Sequence, residues 1–131
     1  MPWMKVDLVD GATWVAIPGI LYDHNNQVID SVSDFAAYID AIGLTEIQTF
    51  AWFNPCTQES ESYSRILFPP YWSGINFAIY PGQGIEIQAS SACTLPLRFG
   101  QGYVRHLVCT ADSTDYYCEW LGQEEFDKLE G

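Results

Sequence analysis

Residues able to do chemistry are few and scattered along this chain. The candidate bases are two imidazoles, His24 in a polar stretch and His106 in an alternating stretch between Arg105 and Leu107. Nucleophilic catalysis needs a nucleophile, a base and an orienting group in mutual contact. No Gly-x-Ser-x-Gly elbow is present, and no cysteine sits in a catalytic signature, so both histidines read as ordinary surface or strand residues. Gly82-Gln83-Gly84 and Gly100-Gln101-Gly102 look like fragments of a phosphate-binding loop. Neither leads into a helix or carries a basic partner, and both read as turns. Carboxylates are plentiful, yet nothing singles out the pair that glycoside hydrolysis requires. The expectation is a protein without catalytic residues.

Metal binding is little better supported. Asp23, Asn25, Gln27 and Asp30 supply oxygen ligands within one short loop, but the central Gly and closing Glu of a full calcium loop are missing. Asp112 and Asp115 form a second, sparser candidate. A solvated loop is the preferred reading of each, and calcium is the only cofactor the sequence suggests. The four cysteines, Cys56, Cys93, Cys109 and Cys118, contain no C-x-x-C pair, and no zinc-ligand spacing links them to the two histidines. They allow three disulfide pairings, and free buried thiols are the alternative.

Composition limits the partners. Seventeen acidic residues against five basic ones give a net charge of −12, which repels phosphate backbones and anionic lipid heads. Nucleic acid and membranes are therefore poor partners, while a protein with a basic surface is compatible. No apolar run is long enough to span a membrane, and Met1-Pro2-Trp3-Met4-Lys5-Val6-Asp7 does not resemble a signal peptide. The chain is thus expected to be an excised domain, or a complete product exported without that signal.

The elements that would position these groups can be read from periodicity. Residues 13–17 read as a buried strand stopped by Pro18-Gly19, and 22–30 as a polar loop. Ser31 has the features of a helix N-cap. Val32, Phe35, Ala36, Ile39 and Ile42 follow at helical spacing, and Gly43 stands where a C-cap glycine belongs. The period then changes to two over residues 47–53, with apolar residues on both faces. Residues 59–62 read as an exposed link, and strands are expected over 63–68, 76–80, 84–89 and 94–99. Pro81-Gly82 forms the turn before residue 84, and Pro96 argues for an edge position. Residues 103–109 and 116–120 form a hairpin, which would bring Cys109 and Cys118 across from each other within disulfide reach. Residues 123–129 read either as a short amphipathic helix through Phe126 and Leu129 or as a frayed tail.

Trp14, Phe35, Phe50 or Trp52, and Phe77 are natural core rings. Pro69-Pro70-Tyr71-Trp72 instead places two rings in a loop-like setting, suited to protein interfaces or to stacking on sugars; folding back over the core is the alternative. Tyr71 and Trp72, with Tyr116, Tyr117 and Trp120 of the hairpin, are the candidate binding residues.

The order of motifs resembles a module of large bacterial and archaeal secreted and cell-surface proteins. That module begins with a Gly-Trp-Asn-Leu-x-Ser-Leu-Pro strand, followed by a helix, a strand with Trp or Tyr before Asp or Asn, a Gln-x-Tyr segment and a Pro-Gly-x-Gly-Tyr-Trp-Val strand. Over residues 8–97 the counterparts are Gly11 to Pro18, the helix from Val32 to Ile42, Ala51 to Asn54 with Gln58 and Tyr63, and Pro81 to Ile87. Two departures stand out, Ala12-Thr13 before the opening Trp and Ile85 in place of an aromatic. The resemblance implies a structural or adhesive role, and it makes Cys56 with Cys93 a second disulfide. Residues 98–131 would add the hairpin.

The sequence therefore predicts one domain over residues 1–131, of α+β class: a mostly antiparallel sheet or sandwich with one amphipathic helix and a C-terminal hairpin. The first functional expectation is a virus-particle component, such as a phage capsid decoration or tail-associated protein, working in an oligomer or larger assembly. The second is a cell-surface adhesion or carbohydrate-binding domain, and the third an acidic inhibitor that mimics nucleic acid. Disulfides would fit a virion or extracellular setting.

Overall fold

The computed structural model describes residues 2–68, 70–100 and 104–121. The elements are β1 (Trp3–Leu8), β2 (Gly11–Ala16), β3 (Ile20–Tyr22), β4 (Val28–Ile29), α1 (Val32–Ala41), β5 (Ile47–Asn54), β6 (Glu59–Leu67), β7 (Pro70–Gly74), β8 (Gly84–Ala89), β9 (Cys93–Gly100), β10 (Val104–Cys109) and β11 (Tyr116–Leu121). All pairings between these strands are antiparallel. The proposed helix over 123–129 and the Gln101-Gly102 turn lie outside the described residues.

The helix forms where local chemistry asks for it. Ser31 is extended (φ −142°), and its hydroxyl accepts the Asp34 N–H at 3.3 Å, satisfying one orphan amide of the first turn. At the far end Gly43 takes φ +78°; its N–H bonds the Asp40 carbonyl while the Leu44 N–H bonds that of Ile39. That is a Schellman closure, and the left-handed position is one that glycine adopts without a Cβ penalty.

The strands form a five-stranded sheet in the order β2-β8-β5-β6-β7, a four-stranded sheet β1-β9-β3-β4, and a two-stranded ribbon β10-β11. The helix is tied to both larger sheets. Phe35 stacks on Phe50 of β5 with ring centroids 5.0 Å apart, and the Tyr38 hydroxyl donates to the Pro96 carbonyl of β9 at 2.6 Å. Val32, Phe35 and Ile39 share one buried cluster with Phe50, Ile85 and Ile87 of the larger sheet and Leu21, Leu95 and Leu97 of the smaller. Each such buried side chain contributes roughly 1.5–3 kcal/mol, so this shared apolar layer dominates the packing of helix and sheets.

Several expectations need correction. The 22–30 segment is no plain loop: β3 and β4 pair through Leu21 with Ile29 and Tyr22 with Val28. The expected link at 59–62 is the first half of β6, and the expected strand at 76–80 is irregular, held by an isolated bridge between Ser31 and Ala78. Residues 70–72 begin β7, where a loop was expected. Trp14 is 66% exposed, because the alternation of β2 turns Val15 inward instead. β5 does not keep one strict period: a register shift between Ile47 and Thr49 brings Ile47 to the buried side with Phe50 and Trp52, leaving Phe53 outside.

Pro96 sits on a central strand, not an edge, since β9 pairs with both β1 and β3. The local reason is that β3 pairs only with residues 98–100. Pro96 lies beyond that stretch, opposite Lys5 of β1. Its carbonyl faces Tyr38, and a residue's nitrogen and carbonyl oxygen point to the same side of a strand, so the missing N–H removes no bond to β1.

Candidate functional site

The disulfide in this protein joins Cys56 to Cys109, and Cys93 and Cys118 are free, so neither expected pair, Cys109 with Cys118 nor Cys56 with Cys93, forms. Register explains the first correction: Cys109 stands opposite Tyr116, and Cys118 opposite Leu107. Cys93 begins β9 beside Leu8 of β1, while Cys56 lies in the turn after β5. Asn54 builds that turn. It is fully buried, and its side-chain oxygen accepts the Cys56 N–H at 2.9 Å.

The disulfide helps to fix the β10-β11 ribbon to the body, where Leu107 also packs against the core. Arg105 donates to the carbonyls of Asp30 and Ile79 and lies over the Trp120 ring, 5.5 Å from its centroid. Tyr116 accepts the Ala78 N–H at 3.0 Å through its hydroxyl and meets Trp52 edge-on, with centroids 5.5 Å apart. Trp52 in turn donates to Glu61 at 2.9 Å and stacks on Phe77. The irregular 76–80 segment runs beside the start of the helix, with Val32 N–H on the Phe77 carbonyl and Ile79 N–H on the Asp30 carbonyl.

Where these parts meet they leave an open cleft of about 480 Å³. Asp30, Glu61, Asp115, Tyr116 and Tyr117 line it, with Asn76, Arg105 and Cys118, and the Arg105 Nε is buried without a hydrogen-bond partner among the described residues. Burial, reinforced by a hydrogen bond with Asp34, pushes the Asp30 carboxyl up, and Arg105 opposes this. Burial also raises the Cys118 thiol, again against the pull of Arg105. His106 faces Glu119 across the ribbon at 3.4 Å.

The five candidate binding residues therefore divide. Tyr116 and Tyr117 line the cleft, and Trp120 stands beside it against Arg105. Tyr71 and Trp72 lie on β7 and behave differently from one another. Trp72 is packed: it stacks flat on Tyr63 at 5.9 Å, meets Phe50, and donates to Asp40 at 2.8 Å. Tyr71 is 52% exposed and pairs with Ile66 across the strands. With Leu67 and Phe68, the latter 92% exposed, these two residues form an apolar rim at the end of β6 and β7. Sequence reasoning found the two rings but missed Ile66, Leu67 and Phe68, which read simply as strand. The signal available was an absence of charge from Ile66 to Ile85.

The candidate calcium loop is organised by its own hydrogen bonds. Asp23 accepts the N–H groups of Asn25 and Gln27 through one carboxylate oxygen, and Arg98 donates to the Asp23 carbonyl and to Asn26. Asp112 is likewise engaged by Thr114 and Thr110, whose hydrogen bonds lower its carboxyl. Among the described residues no three His, Cys, Asp or Glu side chains converge as a metal site, and no helix is long and apolar enough to cross a membrane. Comparison with protein-family models, curated proteins and solved structures finds no match to this chain.

Proposed function

We propose that this chain is a non-enzymatic interaction module that docks on a protein partner through the rim of Ile66, Leu67, Phe68 and Tyr71. Its setting in this reading is a larger assembly, such as a phage particle carrying it as a capsid decoration or tail-associated protein. The observation that carries the reading is the rim itself. Single exposed hydrophobes are ordinary, but four neighbouring ones at the end of two paired strands form a patch of the kind that interfaces cover. β7 is also an edge strand, with backbone groups on its outer side free to pair.

Charge supports the same choice. The chain carries −12, yet the segment from Ile66 to Ile85 contains no charged residue. Desolvating this rim against a partner costs little electrostatically, whereas all seventeen acidic residues lie elsewhere in the chain. The disulfide supports an oxidising setting such as a particle surface or cell exterior. The likeness of residues 8–97 to a structural module of cell-surface proteins points the same way.

The test is incorporation into assemblies. Purified particles from the chain's source should contain it in stoichiometric amounts, and Phe68→Asp should abolish incorporation while leaving the fold intact. Absence of the chain from particles would overturn the setting. Incorporation that survives both Phe68→Asp and Leu67→Asp would overturn the assignment of the rim.

A further inference from the structure

We infer that the outer face of the five-stranded sheet packs on the same face of a second copy of this chain, about a two-fold axis running along β5. This contact lies apart from the rim at Leu67 and Phe68 and does not depend on it.

Strand register defines the face. One row across the sheet reads Trp14, Glu86, Ala51, Ser62 and Ile75, the last joined through its N–H on the Ser62 carbonyl at 2.9 Å. The next row reads Ala12, Gln88, Thr49, Ser64 and Ser73. None of these ten is buried, whereas Val15, Ile85, Ile87, Phe50 and Trp52, which alternate with them, all are. In a chain with seventeen acidic residues the ten positions hold one carboxylate, Glu86. Two copies carrying −12 each can therefore meet here without bringing many carboxylates together.

The pattern is also complementary to itself. A two-fold along β5 lays each row over its own reverse. In the first row Trp14 meets Ile75, Glu86 meets Ser62, and Ala51 meets Ala51. In the second Ala12 meets Ser73, Gln88 meets Ser64, and Thr49 meets Thr49. Apolar groups face apolar groups, and each acceptor faces a hydroxyl donor. Small side chains on the axis let the sheets approach to the ~10 Å of packed sheets. Glu86 accepts from Gln88 through Oε1 at 2.8 Å, which leaves its second oxygen for Ser62 of the second copy. Ile66 and Tyr71 pair beyond the second row and stay available to the rim.

The area is sufficient for a weak dimer. Five strands about 4.8 Å apart and about five residues long present roughly 400 Å² in projection. With side-chain relief two copies bury on the order of 1,000 Å², the lower limit for a specific interface, so affinity in the micromolar range is expected.

Sedimentation equilibrium of the full chain, over about 1 to 300 μM and at 0.15 M salt, tests this. The expected result is a monomer–dimer equilibrium. Ser62→Asp sets a carboxylate over Glu86 and should weaken the dimer by roughly tenfold or more. Adding Glu86→Ser restores one carboxylate over one hydroxyl, with the two exchanged, and should recover the parent's affinity to within about threefold. Ala51→Glu, which meets itself on the axis, is the independent variant and should disrupt at least as strongly. A monomer throughout the range would overturn the inference. A dimer indifferent to both Ser62→Asp and Ala51→Glu would overturn the surface, and a double variant that recovers nothing would overturn the axis. Phe68→Asp lies outside both rows and should leave the dimer intact, so failure of the rim reading is distinguishable from failure of this one.

Discussion

Cys109, on the first strand of the ribbon, is bonded to Cys56 in the turn after β5, with their Cα atoms 5.2 Å apart. The link spans a sequence separation of 53 and fastens a ribbon that the hydrogen bonds of Arg105 and Tyr116 and the packing of Leu107 also hold. The ribbon carries Asp115, Tyr116, Tyr117 and Cys118, one wall of the cleft. The disulfide therefore sets the geometry of the cleft as well as the stability of the chain.

Closing a loop of that length restricts the unfolded chain by an amount worth about 4 kcal/mol. Cys109→Ser should lower the unfolding free energy by roughly this much, read from denaturant midpoints, and Cys118→Ser should cost far less. Amide exchange of the ribbon should accelerate before that of the helix. Peptide mapping after alkylation of the native protein should find Cys56 and Cys109 linked, with Cys118 slow to react because burial raises its thiol above the ordinary value.

Trp72 and Tyr71 are adjacent but should respond oppositely. Trp72→Ala removes the stack on Tyr63, the contact with Phe50 and the bond to Asp40, and should cost roughly 3 kcal/mol. Tyr71→Ala trims an exposed ring and should stay within about 0.5 kcal/mol. Urea melts of the two variants decide this. Equal stability of both would mean that Trp72 is not packed as described.

Gln83 is only 1% exposed, and it closes the irregular segment onto itself. Its side chain accepts the Tyr80 N–H at 3.2 Å and donates to the Ala78 carbonyl at 2.8 Å. Gln83→Leu keeps the bulk but orphans both backbone groups, at about 1–3 kcal/mol each. Because Ala78 lines the cleft, amide shifts in the variant should extend to the ribbon through Tyr116. A melting temperature equal to that of the parent chain would contradict the bonding pattern.

Burial pushes the Tyr80 phenol up to about 12, from an ordinary value of 10.0, with Cys118 and Tyr116 adding smaller increments. Burial raises Tyr38 and Tyr116 as well. Between these values the unfolded chain has lost a proton that the folded chain keeps, so stability falls as the pH rises. The contribution is complete below about pH 10 and is lost on the way to about pH 12. Tyr80→Phe should flatten the decline in melting temperature over that window. Absorbance titration should show a phenol ionising late in the parent and absent in the variant.

The sequence by itself determined the features that depend on near neighbours. Ser31 and Gly43 bound the helix because a cap and a left-handed glycine act within one turn of chain. Gly82, with φ +85°, follows Pro81 in a turn closed by the Gln83 N–H on the Tyr80 carbonyl at 3.2 Å, which Pro and Gly in that order specify. β5, β8 and β9 were legible from their apolar runs, and so was the burial of Phe35 and Phe77, while Phe50 and Trp52, expected as alternatives, are both buried. Tertiary structure decided the rest. Which side of β2 faces inward, and hence that Trp14 is exposed, depends on the sheet it joins. The shift at Gln48 that returns Ile47 to the core depends on β8, and the place of Pro96 on a central strand depends on β1 and Tyr38. Cys109 found Cys56 instead of Cys118 because register, not proximity along the chain, sets which sulfurs meet. The cleft was invisible for the same reason: its walls come from the start of the helix, the 76–80 segment and the ribbon, far apart along the chain and assembled only by packing.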